Sequence, residues 1–219
     1  VSTDRFVTLR EPLRNEQEIK RSRFIACLYP VSTAQQAREH IAELRKEFYD
    51  ARHRPSAFVL GAGRTEARTS DDGEPAGTAG APMLQALVAH QTSPAQRELS
   101  DVLAVVVRYF GGIKLGAGGL TRAYGGAVSE ALTHAQLIVR QRMQLMDVHL
   151  PLGEAGAIEA SLRNSTLLVV ATRWTSTEGI VQVAHAPGDD EETRESIAAL
   201  TSGLARVSDA GSEWTSHKL

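Results

Sequence analysis

Asp101-Val102-Leu103-Ala104-Val105-Val106-Val107-Arg108-Tyr109-Phe110 runs directly into Gly111-Gly112-Ile113-Lys114-Leu115-Gly116-Ala117-Gly118-Gly119, and this stretch decides the fold class. Val102, Leu103, Val105, Val106 and Val107 form a near-continuous β-branched run without polar alternation, which predicts a strand buried on both faces. Five glycines within nine residues then separate that strand from a helix expected over about 120–135. Ala123, Ala127, Ala131 and Leu132 give this helix a small-residue face suited to close packing. A buried strand feeding a helix through a glycine loop points to a mixed α and β architecture.

Upstream, Phe24–Tyr29 reads as a strand ended by Pro30, and Ser32 or Thr33 caps a helix reaching about Tyr49. Its apolar positions Ala37, Ile41, Leu44 and Phe48 recur at helical spacing. Ser56–Leu60 is a second strand. Gly61–Gly80 is polar, glycine-rich and aperiodic, so a long loop is expected there. A helix begins near Pro82, carrying Met83, Leu84, Leu87 and Val88. From Met143 a second pattern starts: strand 145–150, helix 154–164, strand 167–174, strand 179–185, helix 190–202 and a final strand near 204–207. The order βαββαβ is that of a ferredoxin-like split unit. The chain is therefore read as two domains, residues 1–140 and 141–219.

Composition narrows the class. Hydrophobic residues make up 42% of 219 residues and charged residues 23%, as in a packed globular protein. The longest apolar runs fall far short of the ~20 residues that span a bilayer. The stretch Val1–Arg5 shows no secretory pattern, and a cytoplasmic location is the expectation. The single cysteine, Cys27, cannot form an intramolecular disulfide, and its apolar neighbours suit a small buried thiol better than a nucleophile. Charge is unevenly divided. Residues 1–142 hold 19 Lys and Arg against 15 Asp and Glu, whereas residues 143–219 hold 5 against 11. Either a polyanion-facing domain is joined to an acidic one, or a solvated acidic helix at Asp189–Glu192 accounts for the imbalance.

Three segments carry candidate chemistry. In the glycine loop, Gly111, Gly112, Gly116, Gly118 and Gly119 free the backbone for positive φ and close approach. Exposed N–H groups at the following helix start make an anion site, to which Lys114, Arg108 and Arg122 can add charge. The alternative is a tight turn with close packing and no ligand. Neither common nucleotide motif fits, because no Gly-Lys is followed by Ser or Thr, and Thr121 stands where the dinucleotide fingerprint needs Gly or Ala. The segment Asp71-Asp72-Gly73-Glu74-Pro75-Ala76-Gly77-Thr78-Ala79-Gly80 gathers three carboxylates, which could hold a hard cation, serve as turn residues, or pin Arg52, Arg54 or Lys114 by paired hydrogen bonds. Turn chemistry is preferred over a metal site. Arg52 and His53 lie in a basic turn, where His53 is an acid–base group or a polar turn residue. No catalytic or cofactor motif emerges, so no cofactor is expected and a non-catalytic role is preferred.

Arg21–Ala26, Asp50–His53, Ser70–Gly80 and Val106–Tyr124 together closely resemble the IMPACT/YigZ family across about residues 15–135. One departure is Arg54-Pro55, where many relatives carry a polar or cysteine pair. The resemblance implies an α+β fold with an N-terminal domain of the ribosomal-protein-S5 second-domain type, similar to the fourth domain of elongation factor G. It implies a C-terminal ferredoxin-like domain similar to that factor's fifth. Eukaryotic relatives regulate translation through a protein partner in amino-acid starvation signalling. The expectation is a translation-associated protein that contacts RNA or the ribosome through its basic glycine-rich surface, without a membrane partner. The alternatives are a protein-interaction module in a stress pathway, or a metal-dependent phosphoester hydrolase using Asp71, Asp72, Glu74 and His53.

Overall fold

The computed structural model describes residues 4–94 and 96–218. Residues 1–3, read above for a targeting signal, lie outside the described residues. The chain is an α+β protein of two compact units, one reaching Arg140 and including Ser216 onward, the other Gln141–Thr215.

In the first unit the elements are β1 (Arg5–Leu9), β2 (Leu13–Ile19), β3 (Ser22–Pro30), α1 (Ala34–Glu47), β4 (Ser56–Leu60), β5 (Glu66–Ser70), α2 (Gly80–Ala89), β6 (Val102–Tyr109) and α3 (Ala117–Thr133). Five strands form an antiparallel sheet in the order β2-β3-β6-β4-β5. The valine-rich strand β6 sits at its centre, buried throughout Val102–Arg108. Its alternate side chains enter two cores. Val102, Ala104 and Val106 meet α2 and α3 through Met83, Leu87, Ala123, Tyr124 and Ala127. Leu103, Val105 and Val107 meet α1 through Ala37 and Leu44. Helices therefore cover both faces of the sheet, which is why β6 reads as an unbroken apolar run rather than an alternating one. Thr33 caps α1 by accepting from Gln36 N–H at 3.2 Å.

The expected long loop over 61–80 is corrected: it contains β5, paired with β4 from Ser56↔Ser70 to Leu60↔Glu66. Glu-Ala-Arg-Thr-Ser lacks an apolar side because β5 is an exposed edge strand. The same reason hides β2, whose Leu-Arg-Asn-Glu-Gln-Glu-Ile has no fully buried position. Helix α3 begins at Ala117, three residues before the expected start, so Gly118 and Gly119 belong to its first turn.

The second unit holds most of β7 (Leu137–Pro151), α4 (Leu152–Arg163), β8 (Leu168–Trp174), β9 (Glu178–His185), α5 (Asp190–Leu200) and most of β10 (Arg206–Lys218). β7 carries the chain out of the first unit and also pairs with β1. The strand order β10-β7-β9-β8 with the connection βαββαβ is ferredoxin-like. Met146, Val148, Leu150, Val181 and Val183 pack on Ala155, Ile158, Leu162 and Ile197 of the two helices. Among the described residues no helix is long and apolar enough to cross a membrane.

Candidate functional site

Two physical reasons, close packing and positive φ, divide most of the glycine loop between them. A Cβ on Gly111 would lie 1.9 Å from the carbonyl oxygen of Arg21, inside the backbone of the β2–β3 turn. That turn is a two-residue hairpin in which Lys20 and Arg21 both have positive φ, 48° and 63°. The Gly111 N–H donates to Ser22 Oγ at 3.1 Å, locking the start of the loop against it. Gly112 and Gly116 have φ of 85° and 72°, the left-handed region that side chains rarely adopt. A Cβ on Gly119 would press on Leu115 at 2.9 Å. Turn geometry and packing therefore account for four of the five glycines. Gly118 alone has neither reason, and the Arg122 guanidinium lies 3.6 Å from where its Cβ would be.

The start of α3 is open. Its first intrahelical bond is Leu120 N–H to Gly116 O at 2.9 Å, and among the described residues no side chain accepts from its first N–H groups. The N–H groups of Ala117, Gly118 and Gly119 consequently face outward at the positive end of the helix dipole. Beside the first of them, at Ala117, lies a pocket of about 330 Å³ lined by Arg52, His53, Glu74, Pro75, Arg108, Phe110, Lys114, Leu115, Gly116, Ala117 and Leu120. The 52–53 turn reaches this place because it extends β4 alongside β6: Arg108 N–H donates to His53 O at 3.0 Å, and Val106 N–H to Pro55 O at 3.0 Å. Lys114, Arg122 and Arg52 are exposed and have no ion-pair partner among the described residues. The His53 ring bonds the Asp72 carbonyl oxygen through Nδ1 at 3.0 Å. A carbonyl only accepts, so Nδ1 carries a proton.

Each carboxylate of the 71–74 loop has a separate task. Asp71 accepts from Gly77, Ala79 and Gly80 N–H at 2.7, 3.1 and 2.8 Å, closing the start of α2. Partial burial pushes its pKa up, but those three donors outweigh it and hold the carboxyl below its ordinary value. Asp72, at φ 44°, accepts from Arg45 Nη2 at 2.7 Å and Arg54 N–H at 2.8 Å. Glu74 accepts from Arg108 Nη1 and from the Tyr124 hydroxyl, both at 2.6 Å. This is a buried pair, with side chains 4% exposed for Glu74 and 8% for Arg108. Burial first, then the Glu74 hydrogen bond, pushes the Tyr124 hydroxyl pKa far up, so it remains a donor. The Thr78 hydroxyl donates to Pro75 O at 2.7 Å, and Gly77, at φ 74°, allows the turn.

Two sequence expectations are revised by these contacts. The carboxylates pin Arg54, Arg45 and Arg108; they do not touch Arg52 or Lys114. Arg108 brings no net positive charge to an incoming anion, because Glu74 already balances it. Its guanidinium instead lies 5.6 Å from the ring centres of both Phe24 and Phe110, with Nε buried and without a hydrogen-bond partner among the described residues. The structure brings Arg52, His53, Lys114, Gly116 and the first turn of α3 around one pocket, whereas Asp71, Asp72, Gly77 and Thr78 shape the loop behind Glu74. Among the described residues no group of three His, Cys, Asp or Glu side chains is placed to hold a metal ion. Sequence reasoning missed Phe110, 53% exposed at the pocket wall. Its signal was an aromatic residue at the end of an otherwise buried strand. Cys27 is fully buried and burial raises its pKa to about 11, which leaves it an inert thiol.

Residues 20–132 match the Impact N-terminal domain. The IMPACT family member YvyE of Bacillus subtilis is 45% identical over 164 residues, 75% of this chain and 72% of that protein. The IMPACT family member YigZ of Escherichia coli is 43% identical over 138 residues, 62% of this chain and 63% of that protein. An IMPACT family member of Haemophilus influenzae is 49% identical over 119 residues, about half the length of each chain, at 53% and 54%. A crystal structure of a hypothetical protein superposes with a TM-score of 0.61 at 30% identity, covering 94% of this chain and 97% of that one.

Proposed function

The chain belongs to the IMPACT family, and from that premise we propose that it is a non-catalytic, translation-associated protein that binds RNA, free or on the ribosome. The observation that carries this reading is the meeting of Lys114, Arg52 and the uncapped start of α3 around one pocket, with Arg122 folded back over Gly118. A helix start with free N–H groups and unpaired cations beside it is built to receive a phosphate. Hydrolysis with a bound metal is not favoured, because Asp71, Asp72 and Glu74 diverge toward α2, Arg45 with Arg54, and Arg108 with Tyr124.

The test is RNA affinity measured against salt concentration for the wild type and for Lys114→Ala with Arg122→Ala. Binding should weaken with salt, and the double variant should flatten the slope by about 2. Affinity indifferent to both would remove this reading. A protein-docking role finds some support in Ile113, which is 40% exposed on the same loop beside Phe110. A partner captured from lysate and kept after nuclease treatment would favour that second reading; a partner lost would favour RNA.

A further inference from the structure

We propose that the pocket in front of α3 holds a single unpaired nucleotide of single-stranded RNA, with its base against the Phe110 ring and its phosphate on the N–H groups of Ala117 and Gly118. The inference rests on the RNA reading above and specifies how that site reads its ligand. Three features point to it. First, the pocket is not a bare anion cradle. Phe110, Pro75, Leu115, Ala117 and Leu120 give it an apolar wall, which a lone phosphate cannot use but a base can. Second, its volume of about 330 Å³ lies at the lower end of the range for small-ligand sites, about 300 to 1,000 Å³, enough for one nucleotide-sized group and not for a duplex. Third, Arg108 is more than nine-tenths buried at the pocket wall, and its Nε has no hydrogen-bond partner among the described residues. A buried N–H left without an acceptor is costly, and a small shift of this side chain toward the pocket it lines would let an oxygen of the ligand accept from it.

The two halves of the ligand then have separate holders. The guanidinium of Arg108 lies 5.6 Å from the Phe110 ring centre and supports that ring from within, while 53% of Phe110 remains exposed. Lys114 and Arg122 flank the phosphate end. Paired bases are stacked inside a helix and cannot present a free face, so the site selects single strands.

The experiment compares the full chain binding a short single-stranded oligoribonucleotide, a duplex of the same length, adenosine 5′-monophosphate and inorganic phosphate, each for wild type, Phe110→Ala, Phe110→Trp and Lys114→Ala with Arg122→Ala. Thermal melting shows that each variant is folded. The expected result is that Phe110→Ala weakens single-strand binding about five-fold or more, Phe110→Trp restores it, and the duplex binds more weakly than the single strand. Unchanged single-strand affinity in Phe110→Ala, together with loss in the double variant, would overturn the nucleotide pocket and leave the RNA reading standing. Loss in neither variant would overturn both. Equal affinity for duplex and single strand, or inorganic phosphate binding as tightly as the monophosphate, would also overturn the pocket.

Discussion

Helices α2 and α3 pack on the same face of the same sheet, and each starts from a glycine-rich turn, yet their first turns are finished in opposite ways. At α2 the anion is built in: Asp71 reaches forward to the N–H groups of Gly77, Ala79 and Gly80, and its loop is closed by Thr78 and Gly77. At α3 no side chain does this, and Lys114 and Arg122 surround the opening instead. Both ends face the same electrostatic demand, since the first N–H groups of any helix need acceptors. One is satisfied by hydrogen bonds to a carboxylate of the chain itself and serves stability. The other stays available, which is what the proposed RNA contact requires. Glu74 joins the two regions, leaving the α2 loop to meet Arg108 and Tyr124 at the wall of the α3 pocket.

Removing that joint has the largest expected effect. Glu74→Ala leaves Arg108 charged and buried without its partner, and should cost about 3–5 kcal/mol in denaturant unfolding. Asp71→Ala follows, at about 1–3 kcal/mol, because the buried Ala79 and Gly80 and the exposed Gly77 lose the acceptor of their N–H groups. Its pH dependence has a definite sign. The folded-state pKa of Asp71 lies below the ordinary 3.8, so its contribution is complete above that value and disappears as pH falls below it. The stability gap between wild type and Asp71→Ala should therefore narrow on acidification below 3.8. A gap that widened there would contradict the capping role.

Converting one helix start into the other gives the sharpest comparison. Ala117→Asp places a carboxylate in the first turn of α3, which should raise stability by about 0.3–1 kcal/mol while abolishing RNA binding. A variant that still binds with wild-type affinity would separate the pocket from the helix start. The smallest stability effect belongs to Lys114→Ala, within about 0.5 kcal/mol of wild type, although it should lower the salt slope of binding by about 1. A large loss of stability there would make Lys114 part of the fold rather than of the site.

Much of the fold was legible because its signals are short-ranged. The run Val102–Val107 announced a strand covered on both faces, and the pair Ser32 and Thr33 marked the start of α1, with Thr33 the cap that forms. β5 and β2 were hidden because edge strands with solvated side chains lack both alternation and apolar content. In the site, the glycine loop and the 71–74 carboxylates stood out by composition. Their partners did not, since Glu74 bonds a residue 34 positions away and another 50 away. Phe110 escaped notice because one aromatic residue at a strand end is ordinary until its exposure is known.

The sequence by itself determined where the apolar strands and the amphipathic helices form, where the backbone must bend through glycine, and which segments carry charge. Those properties follow from side-chain shape and local conformational preference. Only the tertiary structure decided that Asp71 closes α2, that Glu74 neutralises Arg108, and that α3 remains open beside Phe110. Each of those outcomes depends on which distant groups share a few ångströms of space, and no local rule of the chain specifies that.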